Sequence, residues 1–218
     1  MRPLKKHKPW IVSIVIGVIV GVVAASAVFS TTGFSIFGNA PSHTSKSADM
    51  TNAELTALAF EVLELISDGD FQELSEIIHP DFGIVFSPTA TISLSANRHF
   101  FAEQVAQFGT DNTVYVWGLQ NGTGIPISLT PTEYFARFVP AKDYMGAPVI
   151  GIDHIIRSGN ALENIKEEFP GIRFIDFHIP GGEGEAYDDL DWRSLRLGFE
   201  KHNERLWLVV ISHSTWTV

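Results

Sequence analysis

The side chains best suited to chemistry in this sequence are His79, Asp81, His178, Arg196 and His213. A histidine beside a carboxylate can act as a general base once its pKa lies near neutrality, and His79 with Asp81 flanks a corner between an expected helix and an expected strand. His178 and His213 fall near the ends of expected strands, where a pocket mouth could sit. The default reading gives them structural work, with His79 as a helix-stop residue and His213 held by backbone or by Trp216. Three histidines could also hold a metal, but they come singly from distant segments, so no metal site is expected. Arg196 alternates with Leu195, Leu197 and Phe199; it either lines a concave surface and binds an anion or pairs with Asp176 or Glu200 across neighbouring strands. Trp117, Trp192, Trp207 and Trp216, with Phe82 and Phe86, could line a pocket for a glycan or peptide, although aromatics at strand spacing are usually core.

Other candidates carry less. Glu183, Glu185, Asp188, Asp189 and Asp191 offer oxygen ligands to calcium, yet no defined ligand spacing supports a site and a solvated loop accounts for them. Asn121-Gly122-Thr123 spells a glycosylation acceptor, but Asn-Gly is already explained by a hairpin turn. The nucleophile elbow, the phosphate-binding loop, the dinucleotide fingerprint, the zinc-protease motif and the EF-hand loop are all missing. No cofactor is expected. With no cysteine, the chain has no thiol nucleophile, disulfide or lipidated cysteine.

These residues must be positioned by one domain. After an N-terminal segment is set aside, a chain of 218 residues with 45% hydrophobic composition can bury one good core and is too short for two ordinary domains. Net charge is −10 overall and +4 over the first 29 residues (Arg2, Lys5, Lys6, Lys8 and no acid), leaving −14 for the rest. A surface of that sign repels phosphate backbones, which argues against nucleic-acid partners.

Residues 10–29 carry no charge and only Ser13 and Ser26 as polar interruptions, and at helical rise they cover about 30 Å, enough to span a bilayer. The basic residues before them place residues 1–9 in the cytoplasm and the bulk of the chain outside. A retained signal anchor and a signal peptide cleaved after Ala27 both export the domain; the first gives a single-pass membrane protein, the second a secreted one. Residues 30–50, rich in Ser, Thr, Gly and Pro, read as a flexible linker, and residues 51–218 as the extracytoplasmic domain.

Within that domain, Thr51 and Glu54 spell a capping box for a helix ending near Ser67, and Asp68-Gly69-Asp70 a turn into a second short helix that His79-Pro80 stops. Residues 84–86 and 91–94 read as short strands, residues 98–108 as a helix, and residues 113–119 and 125–129 as a hairpin around Asn121-Gly122-Thr123-Gly124. Helices are expected over 131–138 and 161–168, and strands over 147–156, 172–179, 194–200 and 206–213, the last two forming a C-terminal hairpin. Strand 194–200 has the pattern of one buried face. Early helices and late antiparallel strands make an α+β domain with a curved sheet wrapped on helices.

This layout resembles the cone-shaped NTF2-like (cystatin-like) fold. The set His79-Pro80 with Gly83, Phe86-Ser87-Pro88, Trp117-Gly118, Ser158-Gly159-Asn160, Asn164-Ile165, Asp191-Trp192, Ser194-Leu195-Arg196-Leu197, His213 and Trp216-Thr217 further resembles a group of uncharacterised exported or membrane-tethered bacterial proteins, over about residues 53–218. Members of that group often have a cysteine-containing lipoprotein leader, where this chain has a plain apolar segment. The resemblance implies a place in the cell envelope and an NTF2-like cone behind one transmembrane helix, and carries no established activity. The expected pocket residues are His79, Asp81, Phe86, Trp117, His178, Arg196, His213 and Trp216. Expected partners are the membrane through residues 10–29 and either an envelope protein or a small ligand. Folds of this shape commonly pair through the exposed sheet face, which allows a homodimer. The alternatives to a binding domain are a small envelope enzyme of hydrolase or isomerase type using a His/carboxylate pair, and a purely structural assembly domain.

Overall fold

The computed structural model describes residues 51–182 and 190–216. The expected membrane segment, the linker up to residue 50 and most of the acidic loop (183–189) lie outside the described residues. Among the described residues no helix is long and apolar enough to cross a membrane.

Helix α1 (Asn52–Asp68) begins on the expected capping box: the Thr51 side chain accepts from the Glu54 amide, while the Glu54 carboxylate accepts from the Thr51 amide at 2.7 Å. It ends where Gly69 turns left-handed at φ 70°, a conformation that spares a residue without a Cβ. Asp70 then caps α2 (Phe71–Ser75). Leu55, Ala59, Val62, Leu63 and Ile66 form the buried stripe of α1.

Eight strands follow: β1 (Ile84–Ser87), β2 (Arg98–Phe100), β3 (Tyr115–Leu119), β4 (Pro126–Leu129), β5 (Val149–Ile152), β6 (Arg173–Ile179), β7 (Arg193–His202) and β8 (Arg205–Thr215). Between them lie α3 (Ala102–Val105), α4 (Pro131–Phe138), α5 (Ala141–Met145) and α6 (Ile165–Glu168). The main sheet has the order β2-β1-β8-β7-β6-β5, and β3 and β4 form a separate antiparallel pair. The domain is therefore α+β with a mostly antiparallel sheet, as expected, except that β1 runs parallel to β8, with Phe86 opposite Ile211.

One sheet face carries Ile175, Phe177, Leu195, Leu197 and Ile211 into a core shared with α1, α4 and α5. Phe86, Phe100, Phe108, Trp117 and Tyr134 fill its centre, with Trp117 stacked on Tyr134 at 3.8 Å between ring centroids. The opposite face carries a smaller cluster, including Val210, Phe174, Ile165 and Phe169. That second face corrects the expectation for β7, because Ser194, Arg196 and Gly198 are as buried as Leu195 and Leu197. The cover is the chain's own segment 153–170, sewn down by Asn164, whose side-chain amide accepts from the Ile92 amide and donates to the Ile92 carbonyl, both at 2.8 Å. A homodimer through this face would find it already covered there.

Other local expectations are corrected too. Residues 91–94 form no strand: the Ser87 hydroxyl donates to the Thr89 and Thr91 carbonyls and folds the chain back on itself. Residues 98–100 are strand rather than helix, because pairing Phe100 with Ile84 completes the sheet edge. Strand β5 stops at Ile152, since Asp153 turns left-handed (φ 53°) and its carboxylate accepts from the Phe174 amide. Helix α6 is confined to four residues while Asn164 serves Ile92. Helix α5 was not foreseen.

Candidate functional site

The eight expected pocket residues do not converge. Phe86 and Trp117 are fully buried core, and the Trp117 indole donates to the Leu129 carbonyl at 2.9 Å. His79 is fixed by its own turn, with Nδ1 accepting from the amides of Asp81 at 3.2 Å and Phe82 at 3.0 Å. An Nδ1 that accepts two amide hydrogens leaves the ring proton on Nε2, so in this state neither nitrogen is available as a metal ligand or base. Asp81 is exposed, and its carboxylate lies 3.4 Å from His202 instead of pairing with the His79 ring. Among the described residues no carboxylate pairs with the His79 ring.

His178 and Arg196 sit on the covered outer face of the sheet. His178 Nδ1 lies 2.9 Å from the Ser194 hydroxyl. Arg196 takes the second of its two expected roles: it faces Asp176 in register, its Nε donates to Asp176 at 3.3 Å, and its terminal nitrogens donate to Glu163 and to the Arg157 carbonyl. Burial raises the Glu163 carboxyl above its ordinary range, and the guanidinium opposes that shift. This network clamps the covering segment to the sheet. Glu163 was not a sequence candidate, because its partner lies 33 residues away and no spacing rule links them.

His213 and Trp216 meet at a cavity among the described residues. It has a volume of about 420 Å³ and opens at the end of β8, between α4 and the β3–β4 hairpin. That size falls within the range of small-molecule sites, roughly 300–1,000 Å³. Strand β8 delivers His213, and Trp216 follows directly after its last residue; α4 delivers Arg137 and Phe138; the hairpin delivers Gln120, Asn121, Thr123 and Ile127. Helix α4 is held in place by its own capping box (Thr130 with Glu133) and by Pro131 at its first turn.

Within the cavity the His213 ring lies 5.7 Å from Phe138, and the Arg137 guanidinium sits 5.0 Å above the Phe138 ring centroid. Burial pushes the His213 pKa down to about 4, with repulsion from Arg193 and Arg196 in the same direction and a hydrogen bond to the Pro88 carbonyl opposing it. The His213 Nδ1 atom is buried and has no hydrogen-bond partner. His213 is therefore neutral at pH 7. No described residue lining the cavity is acidic, and no described carboxylate lies within ion-pair distance of Arg137. Such a wall offers a cation, hydroxyl and amide groups and two aromatic faces, with no carboxylate among its described residues. Sequence reasoning missed Arg137 and Phe138; their only signal was their place at the end of a well-capped helix. Among the described residues no group of His, Asp and Glu is arranged to hold a metal ion.

No protein-family model matches this chain, and no curated protein matches it. A solved structure from Xanthomonas campestris, described as a calcium/calmodulin-dependent protein kinase II association domain, aligns over 77% of this chain and 89% of its own. Identity is 15% and the TM-score 0.30, a level of likeness that carries no argument about function.

Proposed function

We propose that this chain is a single-pass cell-envelope protein whose extracytoplasmic domain, an NTF2-like cone, binds a small organic ligand without transforming it. The observation that carries the reading is the cavity at the end of β8: it is lined by Trp216, Phe138, neutral His213 and the Arg137 cation, with no described acid, on a chain whose net charge is −10. Attachment to the membrane rests on residues 10–29, and the cone on helices packed against one face of a sheet in which β1 runs parallel to β8. A guanidinium with no described acid beside it favours, against the chain's overall negative charge, a flat ligand bearing a negative or strongly accepting group. The dispersal of His79, His178 and Arg196 away from this cavity counts against the enzyme alternative.

The test is a titration of the protein with benzoate and indole-3-acetate, with benzamide as the uncharged counterpart, read by thermal shift and tryptophan fluorescence. Both carboxylates should stabilise the fold, by about 2.7 kcal/mol at a hundredfold excess over Kd. Arg137→Ala should erase the preference for benzoate over benzamide, and Trp216→Ala should weaken all three. No stabilisation by any of them, or shifts that both variants leave intact, would remove the reading.

A further inference from the structure

Residues 112–132 contain no charged side chain, although 18% of the whole chain is charged. This stretch is the β3–β4 hairpin with its flanks. Its inward side is Trp117 and Ile127, both buried, and an outward side with water to face would ordinarily be polar. Here the outward side is Val114, Val116, Leu119 and Ile125, which are 49% to 61% exposed. Four large apolar residues grouped on the uncovered side of a two-stranded ribbon exceed the scattered apolar exposure of an ordinary surface and mark a face that meets something apolar.

From these observations we infer that the outer face and tip of the β3–β4 hairpin insert into the interfacial layer of the bilayer, so that the domain lies against the membrane. This rests on the membrane-attachment part of the reading above. Three features favour a lipid surface over a protein partner. The apolar run that ends at Phe29 is separated from Thr51 by 21 residues, which even fully extended could reach no more than about 75 Å, so an anchor there would hold the domain close to the bilayer. Trp216, a residue type that settles at membrane interfaces, is 39% exposed and shares the cavity wall with Gln120, Asn121 and Thr123 of the hairpin tip. The tip also offers neither the cations that seek anionic headgroups nor acids that would be repelled by them, which suits insertion driven by apolar contact alone.

The absence of cysteine permits a clean test in the full-length chain. Leu119→Cys and, as a control on the covered side of the sheet, Glu167→Cys are each labelled with an environment-sensitive fluorophore and reconstituted into phosphatidylcholine vesicles, with and without nitroxide-labelled lipid. Flotation of the vesicles reports anchoring independently of the probe. The expected result is a blue-shifted emission at position 119 that nitroxide lipid quenches, with position 167 unaffected. Adding Val116→Glu and Ile125→Glu to the Leu119→Cys chain should abolish the shift without reducing flotation. Protein that floats while position 119 stays as wet as position 167 overturns the hairpin inference and leaves the anchor intact. Protein that does not float overturns the attachment itself. A blue shift that nitroxide lipid does not quench, and that grows with protein concentration in detergent, assigns the face to a second copy or another protein and overturns the lipid assignment.

Discussion

Replacing Arg196 with Met keeps most of the aliphatic stem and removes the guanidinium from between Asp176 and Glu163. The Arg196 side chain is 1% exposed and the Asp176 side chain 0%, so the two carboxylates would be left close together with little water to screen them. Removing one partner from a buried ion pair costs about 3–5 kcal/mol. For a domain of this size, that corresponds to a fall of roughly 6–20 °C in Tm. The loss should depend on pH in a defined direction. The Glu163 carboxyl already titrates above its ordinary range because of burial, and Arg196 is what holds it down. Without Arg196 it rises further. A carboxyl raised on folding adds stability that is fully present below its unfolded pKa and is lost as pH climbs through the folded value, so the variant should recover at pH 5 part of what it loses at pH 8. Urea unfolding at both pH values measures this. A further variant that also carries Asp176→Leu and Glu163→Leu should regain much of the lost stability, because no buried charge is then left unpaired. A loss below about 1 kcal/mol at pH 8, or equal losses at the two pH values, would refute the account of this network as a buried clamp.

Two further outcomes follow from the same physics. His213 has a folded pKa of about 4 against 6.5 in an open chain, so its contribution is present above pH 6.5 and is lost as pH falls toward 4. It amounts to at most about 3 kcal/mol, and His213→Phe should flatten the fall of urea midpoints across that window; parallel profiles would contradict it. Gly83 has φ 80°, and a Cβ there would stand 2.3 Å from the Phe100 carbonyl oxygen, whereas Gly69 at φ 70° has nothing within 4 Å. Gly83→Ala should therefore cost clearly more than the roughly 1 kcal/mol expected of Gly69→Ala, and equal losses in thermal unfolding would count against the tight β1–β2 approach.

Local chemistry was readable wherever a residue's neighbours in sequence were also its neighbours in space. The capping box at Thr51, the bounds of α4, the hairpin around Asn121-Gly122 and the C-terminal β7–β8 hairpin all belong to this class, since each depends on contacts a few residues apart. The pairing of Arg196 with Asp176 was readable as one of two alternatives, because it follows from matched strand patterns.

Tertiary structure decided what the sequence could not. Residues 98–100, Arg-His-Phe, are too short and too mixed to separate a helix turn from an edge strand, and only pairing with β1 selected the strand. Burial of both faces of β7 depends on segment 153–170 lying across the sheet, which no alternation within β7 announces. The same holds for the candidate site. His213 and Trp216 were visible as chemistry-bearing residues at a strand end, but Arg137, Phe138 and Gln120 come to them from α4 and the hairpin at sequence distances of 75 to 96 residues. A cavity is the space left where separate elements fail to touch, so its walls are fixed by packing, and spacing along the chain carries no trace of them.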